Sequence, residues 1–198
     1  MRGANIRPFL PCPPNPDRLS QEPDLSSIRP CPLPDVSLLG RYRLQEGAYT
    51  DCYSTDLDKT VSQAAFVEAF YTTWVFKLER SILKWAVAKP STDAQAKKLA
   101  QGDLDAFSAW TVEDRCDDQL LLCDMHGRTR SWLMAVPLTG SSGSGTRLYF
   151  GSAVVPPKGP GADGNNIGAG FRLLLGFHKL YSEILLRAAK NQLQAGAV

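Results

Sequence analysis

The stretch from Asn166 to Leu193, NIGAGFRLLLGFHKLYSEILLRAAKNQL, constrains what this chain can fold into more than any other. Ile167, Phe171, Leu174, Tyr181 and Leu185 recur at helical spacing and line one face. Leu173, Phe177, Leu180 and Ile184 form a second stripe beside it, which leaves Arg172, Lys179, Glu183, Arg187 and Lys190 for the solvent side. A helix of roughly 27 residues is about 40 Å long, enough to cross a small domain. So wide an apolar face needs a large partner surface, and the segments before it are strand-like. The pattern predicts an α+β fold: a curved antiparallel sheet wrapped around a long C-terminal helix, with two or three helices after the first strand. A cavity between sheet and helix is the expected by-product, and no chemistry follows from it.

With 198 residues, a formal charge of +2 and 43% hydrophobic residues, the chain suits one globular domain plus a tail. Neither sign of charge dominates, which argues against nucleic acid, an acidic substrate or a membrane surface as partner. No apolar run reaches the ~18 residues of a bilayer-crossing helix, and no hydrophobic signal segment follows the start. Five cysteines, odd in number and with Cys12 and Cys31 in a Pro-rich tail, favour a reduced, cytoplasmic setting. Arg2 and Arg7 precede the first acid, Asp17, so an organelle transit peptide stays open, although the prolines oppose an amphipathic targeting helix.

Residues 1–45 read as an extended arm, since nine of the 14 prolines fall in them and no apolar period is sustained. Such an arm can serve as a ligand for a protein partner's aromatic groove. A plain tail, or a strap lying over the domain, is the commoner meaning. The folded domain is then 46–194. Within it, AYTDCYSTDL at Ala48–Leu57 predicts the first strand. Thr60 and Gln63 have capping-box spacing before a helix over Ser62–Trp74 that carries Phe66, Phe70 and Trp74 on one face. Val75–Ala88 continues the helical pattern to Pro90, and Thr92 with Gln95 opens a shorter helix that Gly102 stops. The period then changes to two over Ala106–Glu113, Gln119–His126, Thr129–Pro137 and Thr146–Val155, an antiparallel meander. The glycine- and serine-rich LTGSSGSG reads as a flexible connection before the last of these strands.

A hairpin tip at Gly127–Arg128 would place Cys123 opposite Trp132 and Leu121 opposite Met134. One face then holds Leu121, Cys123, Met125, Arg130, Trp132, Met134 and Val136. The other holds Leu120, Leu122, Asp124, His126, Thr129, Ser131, Leu133 and Ala135. A second hairpin across Cys116–Asp117 puts Trp110 and Val112 with the first group. Being bulkier and less polar, that group is the expected surface under the long helix, with His178 and Tyr181 offered from the helix side. A one-residue slip in either hairpin would reverse its assignment.

Arg130 is the odd member of that interior. A guanidinium is rarely enclosed without an anionic partner, so it either meets a ligand head group or reaches water along its own stem. Asp124 and His126 could support acid–base work, but the same register turns them outward. His178 reads more readily as a packing histidine than a catalytic one. Tyr49, Asp51 and Tyr53 alternate on the first strand and could line a cavity mouth. Cys116, Cys123 and His126 lack zinc spacing. LTGSSGSG lacks the spacing of a serine-hydrolase elbow, and Gly164, Gly168 and Gly170 do not form a phosphate loop after a strand. No metal, cofactor or catalytic group is implied.

The order strand, two helices, meander and long C-terminal helix resembles the helix-grip fold of the START-like (SRPBCC) superfamily over about Ala48–Leu193. Segments such as FYTTWVFKLERSILKW, PSTDAQAKKLA, RLYFGSAVVP and LLGFHKLYS also resemble a family of bacterial proteins of unknown function. The superfamily resemblance implies an apolar ligand, lipid- or polyketide-like, held between sheet and helix. Trp110, Met125, Arg130, Trp132, Met134, His178 and Tyr181 are the candidate ligand-binding residues. About five strands are legible where that fold has seven. Two other readings stand beside binding. One is a cyclase or dehydratase acting on a polyketide-like substrate through Arg130, His178 and Tyr181. The other is an assembly subunit, betrayed by an outer apolar patch around Leu120, Leu122 and Leu133.

Overall fold

The computed structural model of the protein describes residues 28–77, 91–140, 143–156 and 169–196. In chain order the elements are β1 (Arg29–Pro30), β2 (Tyr49–Leu57), α1 (Gln63–Thr72), α2 (Asp93–Gln101), β3 (Ala106–Phe107), β4 (Trp110–Cys116), β5 (Gln119–Asp124), β6 (Thr129–Gly140), β7 (Gly143–Val154) and α3 (Ala169–Gln194). A 3-10 turn at Leu38–Tyr42 lies between β1 and β2. The fold is α+β, a seven-stranded antiparallel sheet in the order β1-β2-β7-β6-β5-β4-β3 with α3 at the C-terminal end. Five long strands match the five legible in the sequence. The two further ones, β1 and β3, are two-residue edges, too short to carry a period.

Local chemistry explains the helix ends. Ser62, rather than Thr60, caps α1, its hydroxyl accepting from the Ala65 amide at 3.1 Å. Thr92 and Gln95 form a reciprocal capping box, and Gly102 ends α2 at φ 86°, a left-handed angle that glycine adopts without a Cβ clash. The helical stripe does not run on to Trp74. Thr73 sits at ψ 151°, breaks the helix, and leaves Trp74 70% exposed. Most of Val75–Ala88 lies outside the described residues.

The expected flexible connection LTGSSGSG is largely strand. β6 continues to Gly140 and β7 starts at Gly143, paired as Gly140 with Gly143 and Leu138 with Gly145. Glycine and serine are poor strand formers, but two long strands already in register extend their ladder through them.

Both sheet faces are covered. On one side Leu120, Leu122, Leu133, Leu148 and Phe150 pack with Phe66 and Phe70 of α1 and with Leu185, Leu186, Ala189 and Leu193 of α3. On the other, Leu121, Trp132 and Met134 pack with Leu33, Leu39 and Tyr42, so the end of the Pro-rich segment lies over the sheet as a strap. The bulkier face therefore lies under the strap, not under the long helix, and Leu120, Leu122 and Leu133 are core rather than an outer patch. The grouping of residues by face in β5 and β6 agrees with the sequence pattern. The pairs are shifted by two, with Leu121 opposite Trp132 and Cys123 opposite Arg130, and an even shift keeps every side chain on its face. In the preceding hairpin the shift is odd. Trp110 pairs with Asp124 and Val112 with Leu122, and a bulge between Val112 and Asp114 absorbs the extra residue, so Trp110 joins the helix side.

Buried polar groups fasten the layers. The Gln119 side-chain carbonyl accepts from the Leu38 amide and the Trp132 indole, both at 2.8 Å, and its amide donates to the Val36 carbonyl at 3.1 Å. One buried glutamine thus pins the strap to the sheet. Asp56 has a fully buried side chain and accepts from Arg29 at 2.9 Å and from Arg147 at 2.7 and 2.9 Å, tying β1, β2 and β7 together. On α3, Lys190 is 5% exposed and donates to the Thr55 hydroxyl at 2.9 Å, whereas Ile184 is 39% exposed. These two exchange the places that periodicity assigns them, because the helix rolls to bring Leu186 inward.

Candidate functional site

A cavity of about 310 Å³ lies between the sheet, α1 and α3, and opens beside the exposed Met125 and His126. Its apolar wall is aromatic. Phe70 of α1 lies 4.8 Å from Phe150 of β7 with the two rings tilted at 43°, Phe76 follows the helix break at Thr73, Trp110 comes from β4, and Leu185 and Tyr181 come from α3. Helical spacing aims Tyr181 and Leu185 at the sheet, and strand alternation aims Phe150, Ser131 and Ser152 back at them.

Four polar features enter this wall. The Tyr71 and Ser131 hydroxyls lie 3.1 Å apart behind it, each held by the other. Ser152 donates its hydroxyl to Asp51 across the β2–β7 pair, and its amide donates to the same carboxylate oxygen at 3.1 Å. Asp51 therefore stands at the cavity wall through Ser152, close to where the alternation of β2 suggested. The Trp110 indole N–H is buried and has no acceptor among the described residues, and the second Asp51 carboxylate oxygen is buried without a donor. The turn from Asp124 to Thr129 forms the rim. The Asp124 carboxylate accepts the Arg128 amide at 2.7 Å, and Gly127 takes φ 67°.

The candidate residues separate into three groups. Trp110, Met125, Arg130 and Tyr181 line this cavity. Trp132 and Met134 are fully buried on the far side of the sheet, under the strap, because alternation fixes their face and the strap claims it. His178 lies within α3, and its side chain is outside the described residues. Asp124 and His126, which the register turned outward, line the cavity instead. Their face was the right one to follow.

Arg130 has found its anion within the chain. Its Nε donates to Glu113 and to the Tyr42 hydroxyl, each at 2.9 Å, and the guanidinium lies 4.7 Å from the Tyr42 ring centre. Burial works against its charge, but Tyr42 and Glu113 outweigh that and hold the guanidinium above its ordinary pKa. A side chain so engaged is a brace between rim and strap rather than a free receptor for a head group. Among the described residues no cluster of histidine, cysteine, aspartate and glutamate could hold a metal ion, and no helix is long and apolar enough to cross a membrane.

Phe70, Phe76, Phe150, Ser131 and Ser152 also line the site and were absent from the sequence-based set. For Phe70 and Phe150 the signal was present in the apolar periodicity of α1 and β7. For the serines there was none, since only the register shows them facing an aromatic wall. No family model matches this chain, and no curated protein matches it in sequence.

Proposed function

We propose that this protein is a helix-grip, START-like binding module that holds a small amphipathic molecule in the cavity between its sheet and its C-terminal helix. The observation that carries the reading is an aromatic-walled cavity of about 310 Å³ into whose lining a tryptophan brings an unpartnered N–H. Cavities of roughly 300 Å³ and more, mostly apolar with a few placed polar groups, are the usual form of small-molecule sites. The occupant is a compact apolar body with at least one hydrogen-bond acceptor, its polar end toward the rim at Asp124 and His126. The strand–helix order and the resemblance to START-like proteins support the same reading. Asp124 and His126 lining the cavity favour, as a second reading, a cyclase or dehydratase on a polyketide-like substrate.

Native mass spectrometry with solvent extraction tests binding directly, and anilinonaphthalene sulfonate serves as an amphipathic probe of the empty protein. The expected result is one probe per chain, lost in Thr129→Phe, which places a ring at the cavity mouth. Trp110→Phe keeps an aromatic side chain but removes the pyrrole part of the indole with its N–H, so an extracted ligand with an acceptor should bind at least fivefold to tenfold more weakly, about the worth of one hydrogen bond. A wild-type protein that carries nothing and binds probe no better than Thr129→Phe would end the proposal.

A further inference from the structure

Away from the cavity, on the strap side of the sheet, two free thiols face each other across the edge of the β-structure. The Cys31 and Cys52 sulfurs are 3.3 Å apart, and the Cys31 amide donates to the Cys52 carbonyl at 3.0 Å. The register that pairs Arg29 with Ser54 and Pro30 with Tyr53 continues to this pair, so the two residues are directly opposed. Opposed residues of antiparallel strands have Cα atoms about 4.5–5.5 Å apart, within the range that a disulfide bridges. Closing the bond asks for a change in side-chain torsion and no movement of the strands.

The surroundings divide the two thiols by role. Cys31 is half-buried, so reagents can reach it, whereas Cys52 is buried. Arg29 and Arg147 lie beside the pair, each bonded to Asp56, and their positive charges favour ionisation of Cys31. Contact with the Cys52 sulfur, helped by Ser54 and the two arginines, outweighs burial and holds the Cys31 thiol below its ordinary pKa, while contact with Cys31 and burial push the Cys52 thiol up. A reachable thiol whose ionisation is favoured, 3.3 Å from a buried partner thiol, is the arrangement of an attacking and a resolving cysteine.

We infer that Cys31 and Cys52 form a thiol–disulfide switch that fastens the strap to β2 when the protein meets a low-molecular-weight disulfide. The Cys31 thiolate attacks one sulfur of glutathione disulfide, its S–S bond breaks, and one glutathione thiolate leaves. Cys52 then attacks the Cys31 sulfur, the mixed disulfide breaks, and the second glutathione departs with the Cys52 proton. The cysteine pair is oxidised by two electrons and glutathione disulfide is reduced by two. The strap so fastened carries Leu33, Leu39 and Tyr42, which cover Trp132 and Met134.

The test incubates the full chain with glutathione disulfide, then unfolds it and alkylates the remaining thiols for peptide mapping. The expected result is a Cys31–Cys52 cross-linked peptide, Cys123 still alkylated, and a melting temperature about 10 °C above that of the untreated protein, as for closing a loop of this length. In Cys52→Ser the reaction should stop at a glutathione adduct on Cys31, with no such rise. A wild-type protein in which the adduct persists and Cys52 remains alkylatable would overturn the switch. So would a cross-link that leaves the melting temperature unchanged, since the strap would then gain nothing from it.

Discussion

At the scale of single residues, the side chains that matter most here are those whose partners are far away in sequence. Asp56 receives Arg29 from 27 positions away and Arg147 from 91. Nothing in YTDCYSTDL distinguishes it from its neighbour Asp51, and strand alternation alone makes it an ordinary half-exposed acid. Removing one partner of a buried ion pair strands the others, so Asp56→Asn should destabilise the protein by about 3 kcal/mol, read from urea unfolding. A loss below ~1 kcal/mol would show that Arg29 and Arg147 find solvent readily. Arg130 teaches the same lesson in reverse. Its type announced an anion, and only the tertiary structure identified that anion as Glu113, on the bulged strand beside it.

Among the elements, ends were legible and orientations were not. The capping box of Thr92 and Gln95 and the stop at Gly102 involve residues within one helical turn, so sequence spacing suffices to see them. Thr92→Ala should therefore cost about 1 kcal/mol, and Gly102→Ala a comparable amount because alanine is strained at a positive φ. Both losses should appear in urea midpoints without a change in slope, as local effects do. If Gly102→Ala proves neutral, the turn relaxes to another conformation. By contrast, the break at Thr73 that exposes Trp74 has no proline or glycine to mark it. The choice of which sheet face meets α3 depended on a bulge at Val112–Asp114, a one-residue event that periodicity averages away.

For the whole molecule, the two-sided burial of the sheet makes a pH prediction. Burial, with help from the Asp51 charge, pushes Tyr53 up from an ordinary 10 to about 12. Burial likewise raises Tyr42, Tyr49 and Tyr149, which come from the strap and from both edges of the β2–β7 pair. A pKa raised on folding means that the folded state holds its proton more tightly. That stability is fully present below pH 10 and is lost as pH rises toward 12. Melting temperature should thus stay level through neutral pH and fall steeply above about pH 10, with tyrosinate absorbance appearing together with loss of structure. Tyrosines that titrate near 10 while the fold persists would contradict the burial assigned to them.

What the sequence determined by itself was local and periodic: an α+β chain, five long strands, the caps of α2, a long amphipathic C-terminal helix, and the sorting of β5 and β6 residues into two faces. Each of these depends on residues within a few positions of one another, where spacing translates directly into geometry. Tertiary structure alone decided which face the helix covers, because a second cover, the strap, competes for the bulkier one. It also decided that Trp110, Tyr181, Asp124 and His126 share a wall while Trp132 and Met134 do not. Hydrophobic burial is non-directional and rewards either arrangement. The choice between them rests on one bulge, one buried glutamine and one buried carboxylate, whose partners the chain brings from a distance.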